Sequence, residues 1–126
     1  MRSPQPPPPL RCPPRPSCVC TLATDPRHRI EPIPFTGPLE RAQRRLAEVL
    51  RLLPRMRITS EEPGRIVAES RSAVFRFVDD LDLRLDERAG LIHFRSRARV
   101  GSYDFGVNRR RMERIRRLYS TRAEPA

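Results

Sequence analysis

Two stretches decide the fold: Phe75-Arg76-Phe77-Val78-Asp79-Asp80-Leu81-Asp82-Leu83-Arg84-Leu85, and, after residues 86–90, Leu91-Ile92-His93-Phe94-Arg95-Ser96-Arg97-Ala98-Arg99-Val100. Both alternate with a period of two, the mark of a strand with one wet face. In the first, the odd positions Phe75, Phe77, Leu81, Leu83 and Leu85 are apolar and read as inward, with Asp79 the one acid in that row. In the second, Ile92, Phe94, Ser96, Ala98 and Val100 read as inward and His93, Arg95, Arg97 and Arg99 as outward. Residues 86–90 read as a hairpin loop. Antiparallel pairing must then set inward odd residues against inward even ones. One allowed register places Asp82 opposite Arg95 and Asp80 opposite Arg97; its neighbour places Asp82 opposite His93 and Asp80 opposite Arg95. Both put opposite charges across the outer face, each pair worth a few tenths to about 1 kcal/mol.

Upstream, residues 55–61 and 65–70 read as two further strands around the turn Glu62-Pro63-Gly64. Before them lies a helix over residues 37–53. Leu39, Ala42, Leu46, Val49, Leu50 and Leu53 recur at three-and-four spacing, Pro38 suits the first helical position with Gly37 or Thr36 as cap, and Pro54 stops the run. Residues 18–36 hold Pro26, Pro32 and Pro34 and read as an extended lead-in whose Ile30, Ile33 and Phe35 can pack on a core. Downstream, Val107, Met112, Ile115, Leu118 and Tyr119 form a narrow apolar stripe on a helix over residues 107–120, ringed by arginine. The expected fold is α+β: helix, four-stranded antiparallel sheet, helix, with both helices on one face of the sheet. The expected organisation is a proline-rich disordered leader over 1–17, a single domain over 18–120 and a tail over 121–126.

The chain has 126 residues and a net charge of +11, and all 26 of its basic residues are arginine. An arginine-only, proline-rich composition is as much a codon bias as a nucleic-acid signature, because lysine also binds phosphate well. Where the charge sits is more informative. Residues 55–105 hold ten arginines against nine acids, whereas 106–126 hold seven against two. The excess therefore lies on the last helix. No apolar run approaches the roughly 20 residues of a membrane helix. The opening Met1-Arg2-Ser3-Pro4 does not read as a secretory leader, so the sequence as written implies the cytoplasm and reduced thiols at Cys12, Cys18 and Cys20.

Few residues offer chemistry. Asp79 lies in the inward row, so it is hydrogen-bonded, paired with an arginine of the last helix, or a ligand-facing carboxylate. Asp80, Asp82 and His93 share the outer face. Arg76, Arg84, Arg95 and Arg97 surround them and repel a cation, so a salt-bridge ladder is expected rather than a metal site. Cys12, Cys18, Cys20 and His28 lack paired Cys-x2-Cys spacing and read as tail thiols. The last helix, rich in arginine, lacks the interleaved aromatics that stack on bases. No phosphate loop, nucleophile elbow or His-Glu-x-x-His pair is present, and no cofactor is called for.

Three strings carry a family resemblance: Cys12-Pro13-Pro14-Arg15-Pro16-Ser17-Cys18-Val19, Phe75-Arg76-Phe77-Val78-Asp79-Asp80, and the run from His93 through Tyr103-Asp104-Phe105-Gly106-Val107-Asn108-Arg109. In order and spacing the chain resembles the bacterial and plastid proteins grouped as domain-of-unknown-function family 1499. Ser17 stands where that family usually has Asn, Cys20 where it has Ser or Thr, and Ala98 where it often has Ser. The resemblance brings no activity with it. It implies that the segment around Cys18 docks on the domain, and it admits the cell envelope as a location. It also marks a polar site near the end of the last strand: Cys18, Asp79, Asp80, Arg95, Ser96, Arg99, Asp104, Asn108 and Arg109.

The function expected is a non-enzymatic ligand-binding or accessory module, its partner a small molecule or a protein. Two alternatives stand beside it. One is an enzyme using Asp79 or Asp104 as its carboxylate. The other is nucleic-acid binding, or attachment to an anionic membrane surface, through the arginine-rich last helix.

Overall fold

The computed structural model describes residues 6–73, 77–101 and 104–121. Its elements run β1 (Cys18–Cys20), β2 (Ile33–Pro34), α1 (Leu39–Leu52), β3 (Met56–Glu62), β4 (Arg65–Arg71), β5 (Val78–Asp86), β6 (Leu91–Ala98) and α2 (Val107–Thr121). The fold is α+β, with two helices and an antiparallel sheet of six strands. Four strands were expected. The two additional ones are short pieces of the lead-in, and they lie end to end along the outer edge of β6: Cys18 to Cys20 pair with Arg97 to Arg95, and Ile33 with Ile92. The sheet order is β1-β6-β5-β4-β3.

The central hairpin forms with the first of the two registers: Asp82 faces Arg95, Asp80 faces Arg97 and Leu83 faces Phe94. Its inward row joins one core that includes Leu46, Val49 and Leu50 of α1, Ile66 and Ala68 of β4, and Met112 and Ile115 of α2. Removing ordinary apolar surface from water at about 25 cal/mol per Å² makes this shared core the main favourable contribution to folding.

Local bonds fix where the elements meet. Pro38 stands at the cap of α1 and offers no side-chain bond. Glu87, from the β5–β6 loop, accepts the Leu39 amide instead, at 3.2 Å. Gln43 ties α1 to the β3–β4 turn, donating to the Glu62 carbonyl and accepting from the Gly64 amide, both at 2.7 Å.

One expectation fails at the start of β5. The strand was expected to run through Phe75 and Phe77, with Phe77 inward; it begins at Val78, and Phe77 is 60% exposed. The reason is the length of the neighbour. β4 ends at Arg71, opposite Val78, so the chain must turn between them. Ser72 and Phe77 close that turn, the Ser72 amide donating to the Phe77 carbonyl and the Phe77 amide to Ser72 Oγ, both at 2.9 Å. Phe75 lies outside the described residues.

The thiols also differ from expectation. Cys12 and Cys18 are joined as a disulfide and Cys20 is a buried free cysteine. Val19 belongs to the core, so its strand neighbours Cys18 and Cys20 face the other side of the sheet. Part of the segment assigned to the leader lies there. Leu10 is buried and its carbonyl accepts from Cys20 Sγ, while the Arg11 and Ala98 carbonyls accept from Arg95 and Arg15.

Candidate functional site

Seven element ends meet at one end of the sheet: the C-terminus of α1, the starts of β1, β3 and β5, the ends of β4 and β6, and the N-terminus of α2. A groove of about 410 Å³ opens there. Its apolar wall is Leu53, Met56 and Val107. Arg55, Arg71, Arg110, Arg111 and Arg114 also line it, and Asp79 is its one carboxylate among the described residues. Val107, Arg110, Arg111 and Arg114 are one face of α2, at three-and-four spacing. The stripe Asn108, Met112, Ile115 and Tyr119 is the face that α2 buries.

Behind the groove lies a chain of polar bonds. Arg111 Nη2 donates to Asp79 Oδ2 at 2.7 Å and Arg111 Nη1 to Asn108 Oδ1 at 2.9 Å. Ser96 Oγ donates to the same Asn108 oxygen at 2.6 Å. The Asn108 amide nitrogen donates to Asp104 Oδ2 at 2.7 Å. Asp104 caps α2, accepting the Gly106 and Asn108 backbone amides at 2.9 and 3.1 Å. Burial would raise the Asp104 pKa, but the bonds from the Asn108 side chain and these amides outweigh it and hold the carboxyl below its ordinary value.

The nine residues expected as one polar site therefore divide. Asp79, Ser96, Asp104 and Asn108 come together on the helix side, linked by Arg111, which sequence reasoning did not single out. Asp80, Arg95 and Arg99 lie on the other face. There Arg99 donates to Asp80 at 2.6 and 3.1 Å and to Glu69 at 2.8 Å, and these bonds raise its already high pKa. Cys18 is in the disulfide on that face. Arg109 reaches neither group; it clamps the lead-in, donating to the Arg29 and Arg27 carbonyls at 2.9 and 3.1 Å. The signal for Arg111 was its phase, three residues after Asn108 and one before Met112 in a run of arginines that otherwise look alike.

Asp82 and His93, which share the outer face with Asp80, each have other partners. Arg65 and Arg84 each grip Asp82 through two bonds of 2.9 to 3.2 Å. Burial would raise the Asp82 pKa, and the two guanidiniums outweigh it and lower the pKa. His93 Nδ1 lies 2.9 Å from Thr21 Oγ1. Among the described residues no cluster of three His, Cys, Asp or Glu side chains could hold a metal ion. His28 Nε2 donates to the Arg15 carbonyl at 2.8 Å, so the ring that could have joined the cysteines pins the lead-in instead.

A family model described as protein of unknown function, DUF1499, matches residues 10–118, from the buried Leu10 to the last turn of α2. The chain belongs to the DUF1499 family. Neither the curated proteins nor the solved structures gave a match. The matched span of this DUF1499 chain includes the disulfide, the groove and the whole polar chain behind it.

Proposed function

We propose that this DUF1499 chain is a non-enzymatic binding module that takes the anionic group of a ligand in the groove at the α2 N-terminus. One observation carries the reading: among the described residues, five arginines and one carboxylate line the groove, and that carboxylate is already held by Arg111. Among the described residues, Arg55, Arg110 and Arg114 have no carboxylate partner. The local field therefore favours an anion, and the wall of Leu53, Met56 and Val107 suits an apolar part beside it. The reading takes residues 18–120 as one domain with both helices over the same sheet face. The single core shared by α1, α2 and the inward strand row supports that arrangement.

The alternatives draw less support. A carboxylate enzyme needs an acid or base open to substrate, yet Asp79 is ion-paired and both Asp104 oxygens are taken by amides. A nucleic-acid surface needs a free basic stripe. Arg109, Arg111 and Arg116 of α2 are instead turned to bonds within the chain, Arg116 donating to the Pro32 and Glu31 carbonyls and to Glu113. The Cys12–Cys18 disulfide supports a working place in an oxidising compartment.

Titration with glycerol 3-phosphate at low salt, by calorimetry, tests the reading. Arg71→Gln and Arg114→Gln should each weaken binding severalfold. Asp79→Asn should strengthen it, because Arg111 then faces the groove without a neutralising partner. Binding that ignores all three substitutions, or no binding at millimolar ligand, sinks the proposal.

A further inference from the structure

The end of the sheet that holds the groove also carries the three most exposed large apolar side chains among the described residues. Phe77 precedes β5, Val100 follows β6 and Phe105 precedes α2; they are 60%, 75% and 76% exposed. Val107, in the groove wall, is 38% exposed beside them. Hydrogen bonds to the backbone hold these tips at one end. Phe77 is tied to Ser72, Arg99 donates to the Val78 carbonyl just before Val100, and Ser17 Oγ donates to the Gly101 carbonyl just after it.

Phe105 sits at a φ of 54°, in the left-handed region where a bulky side chain is disfavoured, and it is 76% exposed. Arg110 is bonded to the Phe105 carbonyl at 2.7 Å, so an arginine of the groove stands directly beside the aromatic tip. The tips are on separate loops with arginines between them. That distribution suits a broad interface with an apolar interior and an anionic skin better than a single greasy peptide.

We propose that this end of the molecule docks on the surface of an anionic phospholipid bilayer. Phe77, Val100 and Phe105 enter the interfacial layer while Arg55, Arg110 and Arg114 meet lipid phosphates, one of which occupies the groove. The proposal rests on the anion-binding reading of that groove. No described helix is long and apolar enough to cross a membrane, so contact of this kind lies on the surface. Each arginine brought to such a surface raises partitioning about fivefold, less in high salt.

The test is sedimentation of the full chain with vesicles of phosphatidylcholine alone and of phosphatidylcholine mixed with phosphatidylglycerol. Calorimetry with glycerol 3-phosphate runs alongside. Binding is expected to the mixed vesicles only. Phe105→Asp and Val100→Asp should each lower it about tenfold, and Arg110→Gln and Arg114→Gln about fivefold each. All four positions are exposed, and unchanged urea midpoints would verify that the variants remain folded. Glycerol 3-phosphate binding without vesicle binding overturns the docking proposal and leaves the groove reading standing. Equal binding to neutral vesicles, or vesicle binding indifferent to both aspartate substitutions, also overturns it. A chain that binds neither probe removes both readings.

Discussion

Arg109, Arg110 and Arg111 are adjacent in sequence, and helix phase sends them to three different tasks. Arg109 clamps the lead-in, Arg110 stands at the groove beside Phe105, and Arg111 joins Asp79 to Asn108. Asn108 is the hub of that last group, fully buried, with Ser96 and Arg111 on its oxygen and Asp104 on its nitrogen. Asn108→Ala leaves a buried hydroxyl and a guanidinium N–H without their acceptor, so it should cost about 2 to 3 kcal/mol. Urea unfolding followed by circular dichroism checks it, and a change below experimental error would mean the hub is not formed in solution. Phe105 makes the opposite case. A non-glycine residue in the left-handed region costs about 1 to 2 kcal/mol, and Asn tolerates that region better. Phe105→Asn should therefore raise the unfolding free energy by up to about 1 kcal/mol while weakening vesicle binding. A variant that binds vesicles as well as the parent would leave the strained aromatic without the role assigned to it.

At the scale of elements, the β5–β6 hairpin was legible because two independent patterns agree. The apolar rows and the opposite charges both require antiparallel pairing, and Asp82 opposite Arg95 was one of only two registers that satisfied them. The start of β5 was not legible. Alternation runs unbroken through Phe75 and Phe77, and nothing in that local pattern reveals that the partner strand stops at Arg71. β1 and β2 escaped notice because strands of three and two residues cannot display a period, and Pro34 argues against one. The polar site was half legible: the family resemblance pointed to Asp104 and Asn108, but a face assignment depends on register and phase together. Two carboxylates link these elements to pH. Asp104 caps α2 and Asp82 clamps β4 to β5, and both have folded pKa values below their unfolded ones. A depressed carboxylate contributes fully above the unfolded value of about 3.9 and loses that contribution as pH falls through the folded value. Asp104→Ala and Asp82→Ala should thus be destabilising at neutral pH, the first by about 1 kcal/mol for the lost cap. The gap from the parent should shrink as the pH drops below the ordinary carboxylate range. Urea midpoints at neutral and acid pH decide this; a gap that stays constant would mean that neither carboxylate is ionised in the way the bonds require.

On the scale of the whole molecule, the question is how the proline-rich segment stays on the sheet. β1 contributes only three pairs to the edge of β6, too few to hold by itself, yet Val19 of β1 is part of the core. The segment before it is fixed at several points: Leu10 is buried, Arg95 donates to the Arg11 carbonyl, Arg15 to the Ala98 carbonyl and His28 to the Arg15 carbonyl. The Cys12–Cys18 disulfide adds a covalent tie across a sequence separation of only 6. A loop that short removes little freedom from the unfolded chain, so chain entropy limits the bridge to about 2 kcal/mol. Cys12→Ser should accordingly lower the urea midpoint without unfolding the domain, because the core of α1, α2 and the four longer strands does not depend on it. Alkylation with iodoacetamide followed by mass spectrometry reads the same arrangement directly. Without reductant, the native chain should take no label, since its one free thiol, Cys20, is buried; after urea it should take one. Three labels in urea without reductant would show that the bridge is absent in solution, and the segment over the outer face would then rest on its hydrogen bonds and on Leu10 alone.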